Sequence, residues 1–365
     1  MRDLFRGYYK PTPEELAAIW EKCVFSFDAN ILLHIYSYTP ETRERFFEIL
    51  TCLKDRIWIP HQVAYEYHKN RIYVISDQVK AYEEIEVILD KHFFNFKNEI
   101  LKDYKRHPFL KTRGIVEDLE KAVEEIKSKI RLAQTNHPNY LEADDLREVL
   151  TDLLEGKVGN PYSDEELENI YQKAEKRFSY KKPPGYKDAK KPIPKSYGDV
   201  ILWFQLIDFA RLQQKSIIFV TDDDKEDWWL KYEGETIEPR PDLIQEILSE
   251  VGVEDFKFYM YHSDQFIDYA EKFLGLPIKP EAVKEAREIM LQDSSVKRII
   301  VDSNYLRSVG YDSSSQVLEI EFRRGEVYHY MDVPPEIYTS LMNAPSHGRY
   351  FNENIKEVYS CRKLS

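Results

Sequence analysis

Short apolar runs that stop at a carboxylate, with a helical stretch after each, narrow the possible folds of this chain more than any other feature. In SIIFVTDDDKEDWW, Ser216 to Trp229, a β-branched run that reads as a buried strand halts at three aspartates, and an acidic, aromatic tail follows. VFSFDANILL, residues 24–33, likewise ends a strand at Asp28 and turns into a helix. RIWIP reads as a further strand, closed by Pro60 and leading into the helix of PHQVAYEYHKNR. YGDVILWFQLIDFARLQQ and PRPDLIQEILSEVG read as helices, and DFKFYMYHSDQFIDYAEKFLG as one more strand and helix. Alternation of this kind predicts an α/β domain with a central parallel sheet and helices on its faces.

Two segments depart from that pattern. From about residue 72 to 182 the sequence is long, charged and helical in period, as in VEDLEKAVEEIKSKIRLA, and it reads as an inserted helical arm. After Asp302 the texture changes to period-two alternation, with turn residues at Asp312 to Ser315 and at Gly325, predicting a small antiparallel unit with one or two helices. The expected division is residues 1–276, a helical linker at 277–300 and a small α+β domain at 301–365.

Composition sets bounds on function. With 42% apolar and 32% charged residues in 365, the chain can bury a sizeable core, and no stretch approaches the roughly 18 apolar residues of a membrane span. No apolar signal region follows MRDLFRGYYK, so a cytoplasmic protein without membrane partners is expected. Cys23, Cys52 and Cys361 are widely spaced, indicating neither a disulfide framework nor a zinc site. A net charge of -13 argues against a surface that grips polyanions everywhere.

Four acids stand at comparable places. Asp28 and Asp222 end strands, Glu66 lies in the first turns of a helix, and Asp199 opens another. In a parallel α/β sheet ligands collect outside the carboxyl ends of the strands, so these residues can meet in one pocket despite their distance in sequence. Gathered carboxylates repel one another, and a hard divalent cation, Mg²⁺ or Mn²⁺, neutralises them. Such a cation can activate water and stabilise in-line displacement at a phosphodiester, which is nuclease chemistry.

The pieces FSFDAN, PHQVAYEYHKNR, KSYGDVILW and IIFVTDDDKEDWW, together with PPGYKDAKK and PRPDLIQEIL, resemble the PIN-domain nucleases, in the bacterial PIN-like branch with a large helical insertion. The resemblance covers roughly residues 20–275 and implies a PIN-like three-layer domain. It also implies that Asp28, Glu66, Asp199 and Asp222 are the catalytic, metal-binding acids. Asp224 is added to the expected ligands, with Asp188 and Asp223 as further candidates, and Asn30 matches a small polar residue two places after the first acid. His34, His61 and His68 lie near these acids in sequence, and structural roles are the expectation for them.

Lys173 to Lys195 holds nine Lys or Arg against Glu175 and Asp188, a local balance of +7. Lys181, Lys182, Tyr186, Lys187, Lys190 and Lys191 are the expected nucleic-acid contacts, through phosphates and stacking. A solvated, proline-broken loop is the competing reading. The tail, with VYHYMDVPPEIYTSLMNAPSHGRYFNENIKEVYSCRKL, resembles the KTSC domain, whose central Tyr-x-Tyr is Tyr328 and Tyr330 here. Arg323, Arg324 and Arg349 join these tyrosines as candidate contacts, against a packing role for the tyrosines.

The expectation is a metal-dependent endonuclease acting on RNA. The alternatives are a structure-specific DNA nuclease and a non-catalytic nucleic-acid-binding or regulatory protein on a PIN-like fold. A phosphotransfer enzyme with Asp28 as nucleophile would want an aspartate where Asn30 stands. The sequence assigns neither an inhibitor or accessory protein nor an oligomeric state.

Overall fold

The computed structural model describes residues 1, 4–232, 235–294, 298–301, 303–312, 316–331 and 333–363. In chain order the first elements are α1 (Pro13–Lys22), β1 (Val24–Phe27), α2 (Ala29–Leu33), α3 (Pro40–Cys52), α4 (His61–Asp103), α5 (Thr112–Thr135), α6 (Asp145–Leu154), α7 (Asp164–Ser179) and α8 (Gly198–Gln213). There follow β2 (Ile217–Val220), β3 (Trp229–Tyr232), β4 (Glu235–Pro239), α9 (Pro241–Val251), β5 (Phe258–Tyr261), α10 (Ser263–Leu274) and α11 (Pro280–Ser294). The C-terminal elements are β6 (Arg298–Ile300), β7 (Leu306–Asp312), β8 (Val317–Phe322), β9 (Val327–Tyr330), α12 (Pro335–Met342), α13 (His347–Asn354) and β10 (Cys361–Lys363).

The apolar runs form the expected parallel sheet, in the order β1–β2–β5. β1 and β2 are buried throughout, as strands covered on both faces must be. Phe25, Phe27, Phe219 and Met260 are among the residues that fill the core with Trp20, Trp203, Phe46 and Phe266. The strand ends lie side by side, because Asp28 N–H donates to Val220 O at 2.9 Å and Thr221 N–H to Tyr261 O at 3.0 Å. RIWIP does not extend the sheet by a full strand. It makes isolated bridges, Phe25 with Ile57 and Ile59 with Val158, before Pro60 starts α4.

The helix carrying Glu66 is continuous with the arm. α4 is 43 residues long, and its outer part pairs with α5 through Lys127–Asp90, Arg131–Glu86 and Lys97–Glu120 ion pairs. α6 returns to the body and buries Leu146, Leu150 and Leu153 in the main core. α7 packs on α8, with Ile170 and Ala174 against Val200 and Ile201. Trp228 and Trp229, after the acidic run, are both buried, and Trp229 opens a β3–β4 hairpin that the alternation did not signal.

The C-terminal sheet is antiparallel, ordered β10–β9–β8–β7–β6. Leu318, Ile320 and Phe322 alternate inward from β8 to meet Phe351 and Ile355, a core that shares no residue with the main one. Tyr330 is buried and Tyr328 packs against this core, so both tyrosines of the Tyr-x-Tyr serve packing. Of the expected turn, residues 313–315 lie outside the described residues, as does Asp302.

Candidate active site

At the carboxyl ends of β1 and β2 six carboxylates converge from four stretches of chain. Asp28 caps α2 and is fixed on three sides. Ala29 N–H donates to Oδ1 at 2.6 Å, while Thr221 Oγ1 and Asn30 Nδ2 donate to Oδ2 at 2.7 and 3.2 Å. Glu66 stands in the second turn of α4 and accepts from Gln62 Nε2 at 2.7 Å. Its approach to α8 depends on a glycine, since a Cβ at Gly198 would stand 2.7 Å from Glu66 Oε1. Asp199 follows Gly198 at the start of α8, where the helix dipole favours negative charge.

The other three acids come from loops. Asp188 ends the turn Tyr186–Asp188 and pairs with Lys191 Nζ at 2.6 Å. Asp223 follows β2, and its N–H donates to Thr221 Oγ1 at 3.1 Å. Asp227 is fully buried and accepts from Gly185 N–H at 2.9 Å and Lys187 N–H at 3.2 Å, which straps the PPGYKDAKK loop over the site. Gly185 holds that loop at φ +92°, where a side chain would be strained and would also meet Val200 at 2.8 Å.

Lys225 stands among these acids. Its Nζ lies 2.7 Å from Asp223 Oδ2, 3.1 Å from Asp188 Oδ1 and 3.8 Å from Asp199 Oδ2. Burial works against its charge, yet Asp199, Asp223 and Asp188 hold the ammonium well above its usual pKa. The acids feel their burial more than this one cation. Asp28 is pushed up to about 7 by burial, opposed by the Thr221 hydrogen bond, with Glu66 and Asp223 adding like charge. Asp227 is pushed up to about 6, and Glu66 and Asp199 also rise, each by burial first.

Two of the expected ligands are engaged elsewhere. Asp222 is buried, and its carboxylate accepts from Ser263 N–H at 2.8 Å and faces His34 Nδ1 at 3.3 Å and His262 Nδ1 at 3.6 Å. Burial alone would raise it, but the adjacent His262 and His34 imidazoles and the Ser263 N–H hold it well below the usual carboxylate range. Extended chain presents successive side chains to opposite sides, so Thr221 and Asp223 share the side of Asp28 while Asp222 faces α10. Asp224 is tied to the β3–β4 hairpin by Lys231 Nζ at 2.7 Å and Thr236 Oγ1 at 2.5 Å.

The basic loop is largely consumed by the chain's own acids. Lys182 pairs with Glu246 at 2.6 Å, Lys187 with Glu226 at 2.9 Å and Lys191 with Asp188. Tyr186 Oη reaches Glu226 at 3.4 Å. Lys181 is exposed, and Lys190 Nζ meets Gln316 of the C-terminal domain at 3.0 Å.

The donor set fits a hard divalent cation. All six side chains offer oxygen, and Asp188 Oδ1, Asp199 Oδ2 and Asp227 Oδ1, like Asp222 Oδ2 outside the six, are buried without a hydrogen-bond partner among the described residues. As the described side chains stand, no group of three His, Cys, Asp or Glu is drawn together closely enough to hold an ion, and Lys225 is the cation at their centre. The sequence pointed to Asp28, Glu66 and Asp199, which the structure brings to one edge of the sheet, but did not single out Lys225, Thr221, Gly198 or Asp227 beside them. The one signal for Lys225 was a lone lysine inside an acidic run bounded by two indoles.

A family model described as a PIN like domain matches residues 24–243, and a KTSC domain model matches residues 302–359. An uncharacterized protein of Stutzerimonas stutzeri is 48% identical over 61 residues, which are 17% of this chain and 86% of that protein. The lysine–tRNA ligase of Nostoc punctiforme is 34% identical over 84 residues, 21% of this chain and only 15% of that enzyme. A crystal structure of a KTSC domain protein from Yersinia pestis is 38% identical, covering 20% of this chain and all of its own, with a TM-score of 0.19.

Proposed function

The chain belongs to the PIN-like domain family and carries a KTSC domain, and from that premise we propose that it is a metal-dependent endonuclease hydrolysing phosphodiester bonds in RNA. The observation that carries this reading is the convergence of Asp28, Glu66, Asp188, Asp199, Asp223 and Asp227 at the carboxyl ends of parallel strands, with three buried oxygens unpartnered among the described residues. Asp28, Glu66, Asp199 and Asp223 are the proposed ligands of Mg²⁺ or Mn²⁺, with Asp188 beside them. Asp222 and Asp224 are reassigned to holding the site's walls.

A bound cation would supply charge for the phosphodiester and acidify a water. The chain's own part is orientation. Thr221, Asn30 and Ala29 N–H fix Asp28 in one rotamer, and Gln62 aims Glu66 across Gly198. Asp227 clamps the basic loop at Gly185 and Lys187, and Lys181 and Lys190 of that loop are the proposed contacts for a phosphate backbone. RNA is favoured over DNA by the partial likeness to lysine–tRNA ligases, enzymes named for charging tRNA.

The test is incubation of the whole protein with labelled single-stranded RNA, single-stranded DNA and structured DNA, in Mg²⁺, Mn²⁺ or EDTA, alongside Asp28→Asn and Asp199→Asn. Cation-dependent internal cuts in RNA, lost in both variants, are expected. Cuts confined to structured DNA would favour the DNA reading. No cleavage under any condition would leave a binding protein on this fold.

A further inference from the structure

Among the described residues, Lys225 is the one lysine that touches three of the six acids. Its ammonium reaches Asp188 on the basic loop, Asp199 on α8 and Asp223 after β2, and only about a quarter of its side chain is exposed. Such a contact set is that of a counter-ion, since three carboxylates brought this close without one would repel. Asp188 Oδ1 and Asp199 Oδ2 accept no hydrogen bond among the described residues, so the ammonium neutralises them by charge while leaving these oxygens open to coordination. Two of the four proposed ligands, Asp199 and Asp223, together with the adjacent Asp188, are therefore groups Lys225 already holds.

We propose that Lys225 is a built-in competitor for the divalent cation, holding Asp188, Asp199 and Asp223 together without it and being displaced when the cation binds. The inference rests on the metal-site reading above. Displacement separates two positive charges that cannot share the same oxygens, so the ion pairs of Lys225 are lost as the cation coordinates and apparent affinity is lowered by that cost. The freed ammonium remains at the mouth of a site meant for a polyanion, under the loop that Asp227 straps down.

The experiment measures Mn²⁺ binding by calorimetry to the full-length protein and to Lys225→Met, which keeps the stem and removes the charge. The expected result is Mn²⁺ affinity higher in Lys225→Met by roughly tenfold or more, with a lower melting temperature without metal and a larger rise on adding it. Equal affinities in the two proteins overturn the competition while leaving the metal site in place. Absence of binding to either protein overturns the metal site itself, and the competition with it. Should Lys225→Met not fold, the wild-type protein decides. Acetylation by acetic anhydride, read by peptide mass spectrometry, is expected to spare Lys225 without metal and to modify it when Mn²⁺ is bound. Protection of Lys225 in both states at saturating Mn²⁺ overturns the proposal.

Discussion

Glu66 and Gly198 meet so closely that any side chain at 198 would displace the carboxylate: the added Cβ would stand 2.7 Å from Oε1. The clash falls on the far end of a flexible side chain, so the fold tolerates it while Glu66 moves. Gly198→Ala is expected to leave the melting temperature within a few degrees, since alanine is the better helix former. Cleavage is expected to fall by about a hundredfold, because small misplacements of catalytic groups carry such losses. Unchanged cleavage would remove Glu66 from the site.

The neighbours Asp222 and Asp223 should separate cleanly. Asp222→Asn leaves His34, His262 and Ser263 N–H facing a neutral amide in a buried place, and a loss of about 2–4 kcal/mol in urea unfolding is expected. Asp223→Asn should cost little stability in EDTA but reduce the melting shift produced by Mg²⁺. The reverse pattern would restore Asp222 as the ligand.

Without metal, stability should fall as pH rises. Burial raises Asp28 to about 7 and Asp227 to about 6 in the folded chain, above their unfolded values, and raises Glu66 and Asp199 too. The folded state thus binds more protons than the unfolded state between about pH 4 and pH 7, and stability drops across that window. Thermal scans in EDTA from pH 5 to pH 8 should show the decline, and Mg²⁺ should flatten or invert it because cations bind the ionised carboxylates. A melting temperature rising with pH in EDTA would contradict the raised values.

Phosphate contacts can be ranked within the loop. Lys181 and Lys190 changed together to Gln should reduce the slope of log K against log salt for single-stranded RNA by about 1.4, at roughly 0.7 per contact. Lys182→Gln should have a smaller effect, since Glu246 already holds that ammonium. Equal slopes for the double variant and the parent would return the loop to a solvated surface.

The sheet was legible because β1, β2 and β5 are short, dominantly apolar runs, each followed by polar residues. That Asp28, Glu66 and Asp199 would come together was legible because a parallel sheet sends strand ends and helix starts to one edge. The choice between Asp222 and Asp223 was not, since adjacent residues of one type differ only in the side to which the backbone turns them. Lys225 escaped notice because a lysine among acids reads as solvated charge until Trp228 and Trp229 are known to draw the segment inward. RIWIP misled because an apolar run sets strand propensity but not the number of partners it finds.

The unbroken course of α4 makes Glu66 and the arm parts of one lever. Residues 76–103 span about 42 Å at 1.5 Å per residue, so a tilt of about 5° at the body swings the tip by about 4 Å. The gearing also runs backward. A load that shifts the tip by ångströms reaches the acid as a fraction of one, at a pivot where Gly198 leaves no slack. Any displacement along the arm is therefore carried to the carboxylate through unbroken helix rather than taken up at a hinge.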